Sequence, residues 1–228
     1  MFIVASICYS FSIFIDVFAY HLKYNIHSKD NMRYIFSLIN VFQFSARGFV
    51  LIFAPVMAYY TETVKSISIV WYAILFAHIF VVLSLLPLYN RSFSFVLSKK
   101  IFFILNFFLR SAKNVELEVL NSQIEYKEGF FKKVGFVSIA YVSGFFFSFS
   151  TTFLYYLSFY YPDKILTLVS YSQILNMVGA MLLLLLIDPK LMSSIDKGVG
   201  SVELKLLTTS RILVHVTLII ILLFIKWI

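Results

Sequence analysis

Apolar runs with few or no charges recur along the chain, and short polar clusters separate them. No charged residue lies between Lys65 and Arg91, and none between Lys133 and Asp163. A transmembrane helix needs ~20 predominantly apolar residues, and both runs exceed that length. Extending the reading to the whole chain gives six spans: 2–20, 34–59, 66–89, 134–160, 165–187 and 206–225. Three of them carry a single internal charge, namely Asp16, Arg47 and Arg211. The expected fold class is therefore all-α, a polytopic transmembrane helical bundle forming one membrane domain over residues 1–228.

Composition strengthens this reading. The chain is 61% hydrophobic and 13% charged, against roughly 45–50% and ~25% in soluble domains. Too little polar surface is available to coat a water-exposed globule. Seven Gly and four Pro are few for a turn-rich β protein. The single Cys8 excludes an intramolecular disulfide and a cysteine-built metal site. Residues Met1 to Ile15 carry no charged side chain, so the basic segment of a cleavable signal is missing and the first run is expected to remain as a span. The net charge of +8 could suggest nucleic acid; on so apolar a background it points instead to basic loops and anionic lipid.

The lysines and arginines between spans predict orientation. Residues 21–33 hold three, 90–133 hold eight and 188–205 hold three, against one each in 60–65 and 161–164 and Lys226 at the C-terminus. By the positive-inside rule the first, third and fifth connections face the cytoplasm and both termini face outside. The 90–133 connection alone is long. Its first part, about 93–109, is apolar but split by Lys99 and Lys100. Burying both would cost ~2.5–3.5 kcal/mol each, so an interfacial helix at the cytoplasmic leaflet is expected. Its second part, Ala112–Lys133, mixes four Glu with lysines and reads as a solvated helix. The connection divides the spans three and three, and because each triplet is odd, any repeat relating them is inverted.

Polar side chains inside the spans mark the place to look for function. Asn40, Gln43 and Arg47 follow an i, i+3, i+7 spacing, which places them on one helix face; Thr208, Arg211 and His215 repeat it on the sixth span. Gln173 and Asn176 lie near Gly179 on the fifth, and Asp16 stands one turn before Tyr20 on the first. Depth along the helices predicts an Asp16–Arg211 pair near the cytoplasmic side. It also predicts a polar pocket near the midplane built from Arg47, Gln173, Asn176 and His215. Interhelical hydrogen bonds are the plain alternative for several of these groups, at ~1 kcal/mol each. A midplane Arg47 has no such cheap explanation and suits a phosphate or pyrophosphate, which accepts two parallel bonds from a guanidinium. There is no phosphate-binding G-x-x-x-x-G-K-[ST] loop and no H-E-x-x-H element. The histidines are scattered, so no cofactor or metal is expected and an enzyme is disfavoured.

The segment from Ser37 to Glu62, SLINVFQFSARGFVLIFAPVMAYYTE, resembles the second-span region of the Amj-type lipid II flippases, the alternate to MurJ. Ser45, Arg47, Ala54 and Pro55 stand in matching places. The segment from Leu157 to Gly200 is similar too, with Pro162, Asn176, Gly179, the Asp188-Pro189 pair and Asp196 in order. The resemblance implies transport without catalysis: flipping of undecaprenyl-pyrophosphate-linked peptidoglycan precursor across the bacterial cytoplasmic membrane, by alternating access, in cell-wall biogenesis. On that reading Arg47 and Arg211 receive the pyrophosphate beside Asp16. Asn40, Gln43, Gln173, Asn176 and His215 line the route, and loop lysines gather anionic lipid. Two other classes stay open on the residues alone, a small-molecule or ion transporter and a membrane-embedded lipid-modifying enzyme. A pocket that opens sideways into lipid would favour a flippase over a closed transporter.

Overall fold

The computed structural model describes residues 1–26, 32–108, 130–197 and 200–226. Among them the secondary structure is helical throughout. Six helical stretches are long and apolar enough to cross a membrane, which makes this a multi-pass membrane protein of the expected class. The first is α1 (Phe2–Asn25); the second is α2 (Met32–Ala58), which runs on as a π-helical turn over Tyr59–Val64. The third is α3 (Ile67–Leu85), ending in a 3-10 turn at Leu86–Tyr89. After α4 (Arg91–Phe108), the fourth span is α5 (Phe130–Tyr160). The fifth combines α6 (Ile165–Leu182), a π-helical turn at Leu183–Ile187 and α7 (Asp188–Asp196), and the sixth is α8 (Ser201–Ile225).

Several helices outrun the expected ends, and each extension has a physical reason. The first span continues from Tyr20 to Asn25 because its polar residues there find partners. Tyr20 donates to the Asp188 carboxylate, His21 sits 3.0 Å from Ser94 Oγ and 3.1 Å from Thr208 Oγ1, and Asn25 Nδ2 donates to Ser94 and Ser98 at 3.0 Å each. The second span continues past Tyr59 through a wider π turn. It stops only at Lys65, whose left-handed φ of 52° ends the helix. In the fifth span the Asp-Pro at 188–189 opens α7 instead of breaking the chain, since proline is tolerated in the first turn of a helix.

Helices α1, α3, α5 and α8 make the centre of the bundle, while α2 leans on α1 and α6 leans on α5. The most apolar windows of the second and fifth spans are only 22% and 17% buried, against 61% for the first, so α2 and α6 are the wings that face lipid. Close approach is set by small residues and hydroxyls. Ser6 donates to the Ala73 carbonyl at 2.7 Å across α1 and α3, and Trp71 Nε1 donates to the Leu222 carbonyl at 3.0 Å across α3 and α8. Ser143 donates to the Gly179 carbonyl at 2.7 Å across α5 and α6. A Cβ on Gly179 would stand 2.8 Å from the Ser143 carbonyl oxygen, so only glycine permits this crossing.

The neighbour pattern repeats between the halves. In the first, α1 packs on both α2 and α3, which barely touch each other; in the second, α5 packs on both α6 and α8 in the same way. The halves meet through α3–α8, α1–α8 and α3–α5, and through the second span's contact with α5. Exchanging α1 with α5, α2 with α6 and α3 with α8 leaves these helix–helix neighbours unchanged, apart from the π-helical end of the second span, which packs on α5 without a counterpart of similar extent on α1. Helix α4 packs on α1 and α2 at the end of the bundle where the lysine- and arginine-rich connections lie, here called the basic end. Its Ser94, Ser98 and Phe102 face inward, and Lys99 and Lys100 are exposed. Most of the expected solvated helix at Ala112–Lys133 falls on residues 109–129, outside the described residues.

Candidate functional site

A cavity of about 450 Å³ lies between α1, α2, α5, α6 and α8. One face of α1 forms its floor. Ser12, Asp16, Tyr20 and Lys23 recur at intervals of three and four residues, which aligns them along that face. The wall from α2 presents Asn40, Gln43 and Arg47; the opposite wall, from α6, its π turn and the start of α7, presents Gly179, Leu183, Leu184 and Asp188. Ser143 of α5 and Arg211 of α8 close the back. Three cations, Lys23, Arg47 and Arg211, thus face two carboxylates, Asp16 and Asp188, which leaves a formal excess of one positive charge.

The expected Asp16–Arg211 pairing becomes a three-body arrangement. Asp16 feels the charges of both Arg211 and Arg47, with Gln43 beside it. The reason is helix length: α1 ends at Asn25, which puts Asp16 nine residues, or ~14 Å, from the basic end. Arg211 lies ten residues into α8, at nearly the same depth. Arg47 therefore has Asp16 within its field. Its guanidinium lies 5.7 Å from the centre of the Phe44 ring, and both side chains are exposed at the cavity mouth. Such cation–π contact is worth ~0.5–2 kcal/mol, more as water is excluded.

Arg211 is lodged against α5 by an absence of side chain. A Cβ on Gly144 would come within 3.2 Å of both Arg211 Cδ and Cζ, so glycine at 144 makes the space the guanidinium occupies. At the basic end of the cavity Tyr20 donates to Asp188, joining α1 to α7, and Lys23 Nζ lies 5.1 Å from the Tyr20 ring centre. Toward the opposite end an aromatic cluster follows. Phe53 of α2, fully buried, packs between Tyr9 of α1 and Tyr155 of α5, with ring centres 5.2 and 5.8 Å apart.

The side of the cavity is different again. Its two outer walls, α2 and α6, make at most marginal contact with each other. A slot therefore separates the wings, and the exposed Phe44 and Leu184 stand at its edges.

Of the eight residues singled out in the sequence, Asp16, Asn40, Gln43, Arg47 and Arg211 line this one cavity. The other three lie elsewhere. Gln173 is on the exposed face of α6; Asn176 is partly buried, with its Oδ1 enclosed and unpartnered. His215 is fully buried at the α3–α8 contact, where its Nδ1 lies 2.9 Å from Nδ1 of His78. Sequence reasoning did not assign Lys23, Asp188, Ser143 and Gly144 to the site. The first two fell in what read as loops, and no spacing rule marks a glycine as the socket of an arginine two helices away. Among the described residues no group of three His, Cys, Asp or Glu side chains could hold a metal ion. Compared with known proteins, the chain matches no family model, no curated protein and no solved structure.

Proposed function

We propose that this protein translocates an anionic, polyprenyl-linked headgroup across a membrane, with the lipid II class of undecaprenyl-pyrophosphate-linked precursor as its substrate and the bacterial cytoplasmic membrane as its place. The observation that carries the reading is the cationic cavity with a slot to lipid between α2 and α6. A lipid-linked sugar pyrophosphate is too polar for the bilayer core at one end and too apolar for water at the other. It needs a polar chamber for the head and an open side for the tail, and this cavity supplies both. A transporter of a water-soluble solute needs no such slot.

In this mechanism Arg47 at the mouth and Arg211 at the back hold the pyrophosphate by charge-assisted bonds. Asp16, between them, offsets one of their two charges while the cavity is empty and yields when the anion arrives. Asn40 and Gln43 offer amides to sugar or peptide. On this reading the Phe53 cluster is the closure and the cavity extends toward Lys23 and Asp188 at the basic end, so the conformation described is the one that loads from the basic, cytoplasmic side. Alternating access then requires the Phe53 closure to open and the Tyr20–Asp188 end to shut. No step forms or breaks a covalent bond, and the protein acts as a carrier. Replacing Arg47 by Ala, with membrane insertion verified, should abolish rescue of a strain depleted of its own lipid II flippase. Normal growth of that strain would overturn the proposal.

A further inference from the structure

Beside the cavity, toward Phe53, lies a second polar cluster that the translocation reading does not use. It joins His78 of α3, His215 of α8, Thr152 and Ser148 of α5 and Tyr9 of α1. One placement of the protons satisfies all of these contacts. Thr152 Oγ1 donates its single hydrogen to the Ser148 carbonyl at 2.7 Å, so toward His78 Nε2, 3.4 Å away, it can only accept. His78 therefore carries its proton on Nε2 and offers a bare Nδ1. The 2.9 Å contact between the two Nδ1 atoms then requires that His215 donate. His215 is left with its proton on Nδ1 and a bare lone pair on Nε2. That atom is buried and has no partner among the described residues, as are the hydroxyls of Tyr9, Ser12 and Ser148. Leaving one buried acceptor unpaired costs ~1–3 kcal/mol, and four polar orphans together are unusual.

These orphans connect the histidine pair to the cavity. Ser12 lines the cavity wall and follows Tyr9 by three residues on the same face of α1. The Tyr9 ring packs edge-on against both imidazoles, at 5.7 and 6.2 Å between centres. Gly144, Ser148 and Thr152 stand at four-residue intervals along α5. One seam thus runs from the Arg211 socket to the histidines. We propose that His215 Nε2 is a proton-binding site coupled to anion binding in the cavity.

The coupling follows from position. His215 is one turn beyond Arg211 on α8, where side chains four residues apart face each other. A proton on His215 puts two cations one turn apart in a medium of low dielectric. The other ionisable neighbours are His78 from α3 and Tyr9 from α1; α5 contributes only hydroxyls. An anion seated on Arg211 cancels the repulsion, so anion and proton bind together, and each strengthens the other by the same factor. The inference rests on the cavity being an anion site, and the test separates the two.

The probe is farnesyl pyrophosphate, titrated calorimetrically into the full chain in phosphatidylcholine nanodiscs, in buffers of different ionisation enthalpy. His215→Asn is the informative variant: its amide nitrogen replaces Nδ1 and still donates to His78, while the Nε2 lone pair is gone. Wild type should take up about one proton more per ligand than H215N, and the ratio of their affinities should rise toward ~10-fold per pH unit on acidification. Equal proton uptake overturns the coupling. No binding to either protein at any pH overturns the anion site itself. In that case, and equally if H215N does not fold, nitrogen NMR of the wild-type imidazoles decides. A His215 protonated on Nδ1 that acquires its second proton on acidification supports the proton site. A His215 protonated on Nε2 overturns it.

Discussion

Gly144 offers the sharpest test of the cavity, because two opposing effects of known size meet there. In the interior of a helix, Gly→Ala ordinarily gains ~0.5–1 kcal/mol. At position 144 the new methyl would stand within 3.2 Å of Arg211 Cδ and Cζ and closer still to one guanidinium nitrogen. Overpacking of this kind costs ~1–3 kcal/mol when the neighbour cannot move. The net change in stability is therefore expected between zero and ~2 kcal/mol unfavourable, with the smaller figure if the guanidinium shifts aside. Whether the guanidinium is displaced or held under strain, translocation falls sharply. Gly135 provides the control on the same helix, since a Cβ there meets nothing within 4 Å; Gly135→Ala should be neutral or gain up to ~1 kcal/mol. Reversible unfolding in mixed detergent micelles gives the two stabilities, and rescue of the flippase-depleted strain gives function. If Gly144→Ala were as stable as Gly135→Ala and equally active, Arg211 would not occupy the place described.

Two further outcomes address how the cavity opens. With Cys8 replaced by Ala, cysteines at Phe44 and Leu184 on the two edges of the slot should be joined by a bifunctional maleimide, and the tether should stop translocation; rapid flipping across a closed slot would contradict a lateral route for the tail. Replacing Phe53 by Ala removes the central ring of the closure between Tyr9 and Tyr155, at ~3–5 kcal/mol. A cysteine at Ser12 should then react with a membrane-impermeant maleimide added from the side opposite the basic end. Protection equal to that in the Phe53 protein would show that the closure lies elsewhere.

What the sequence revealed, and what it hid, divides along a physical line. The six spans were legible because a bilayer demands long apolar runs and tolerates few charges, so Lys65, Arg91, Lys133 and Asp163 bracket two of them unmistakably. The stripe of Asn40, Gln43 and Arg47 was legible because helical periodicity puts those residues on one face, and the structure brings all three to one wall. Lys23 and Asp188 were not, because a charge or an Asp-Pro near the end of an apolar run looks like a loop until its partner is known. Tyr20, reaching from one helix to Asp188 on another, joins these two ends. His215 shows the opposite failure. Its spacing matches Arg211, yet its stripe turns toward α3, where His78 meets it. Periodicity fixes which residues share a face, and only the packing partner decides what that face sees.

The repeated neighbour pattern gives the cavity a direction. If the exchange that relates the halves describes the transport cycle, α1 and α5 swap places and so do α2 and α6, so the same four helices would wall a cavity opening to either end. Only the third helix of each half changes: α8 becomes α3. In the conformation described, α8 contributes Leu207 and Arg211 to the lining and α3 contributes nothing. The state open toward the far end should therefore draw its back wall from α3. Its polar member there is His78, already bonded to His215. The histidine pair sits on the contact between the two helices that would trade roles, which is where a bound proton would bias one arrangement over the other.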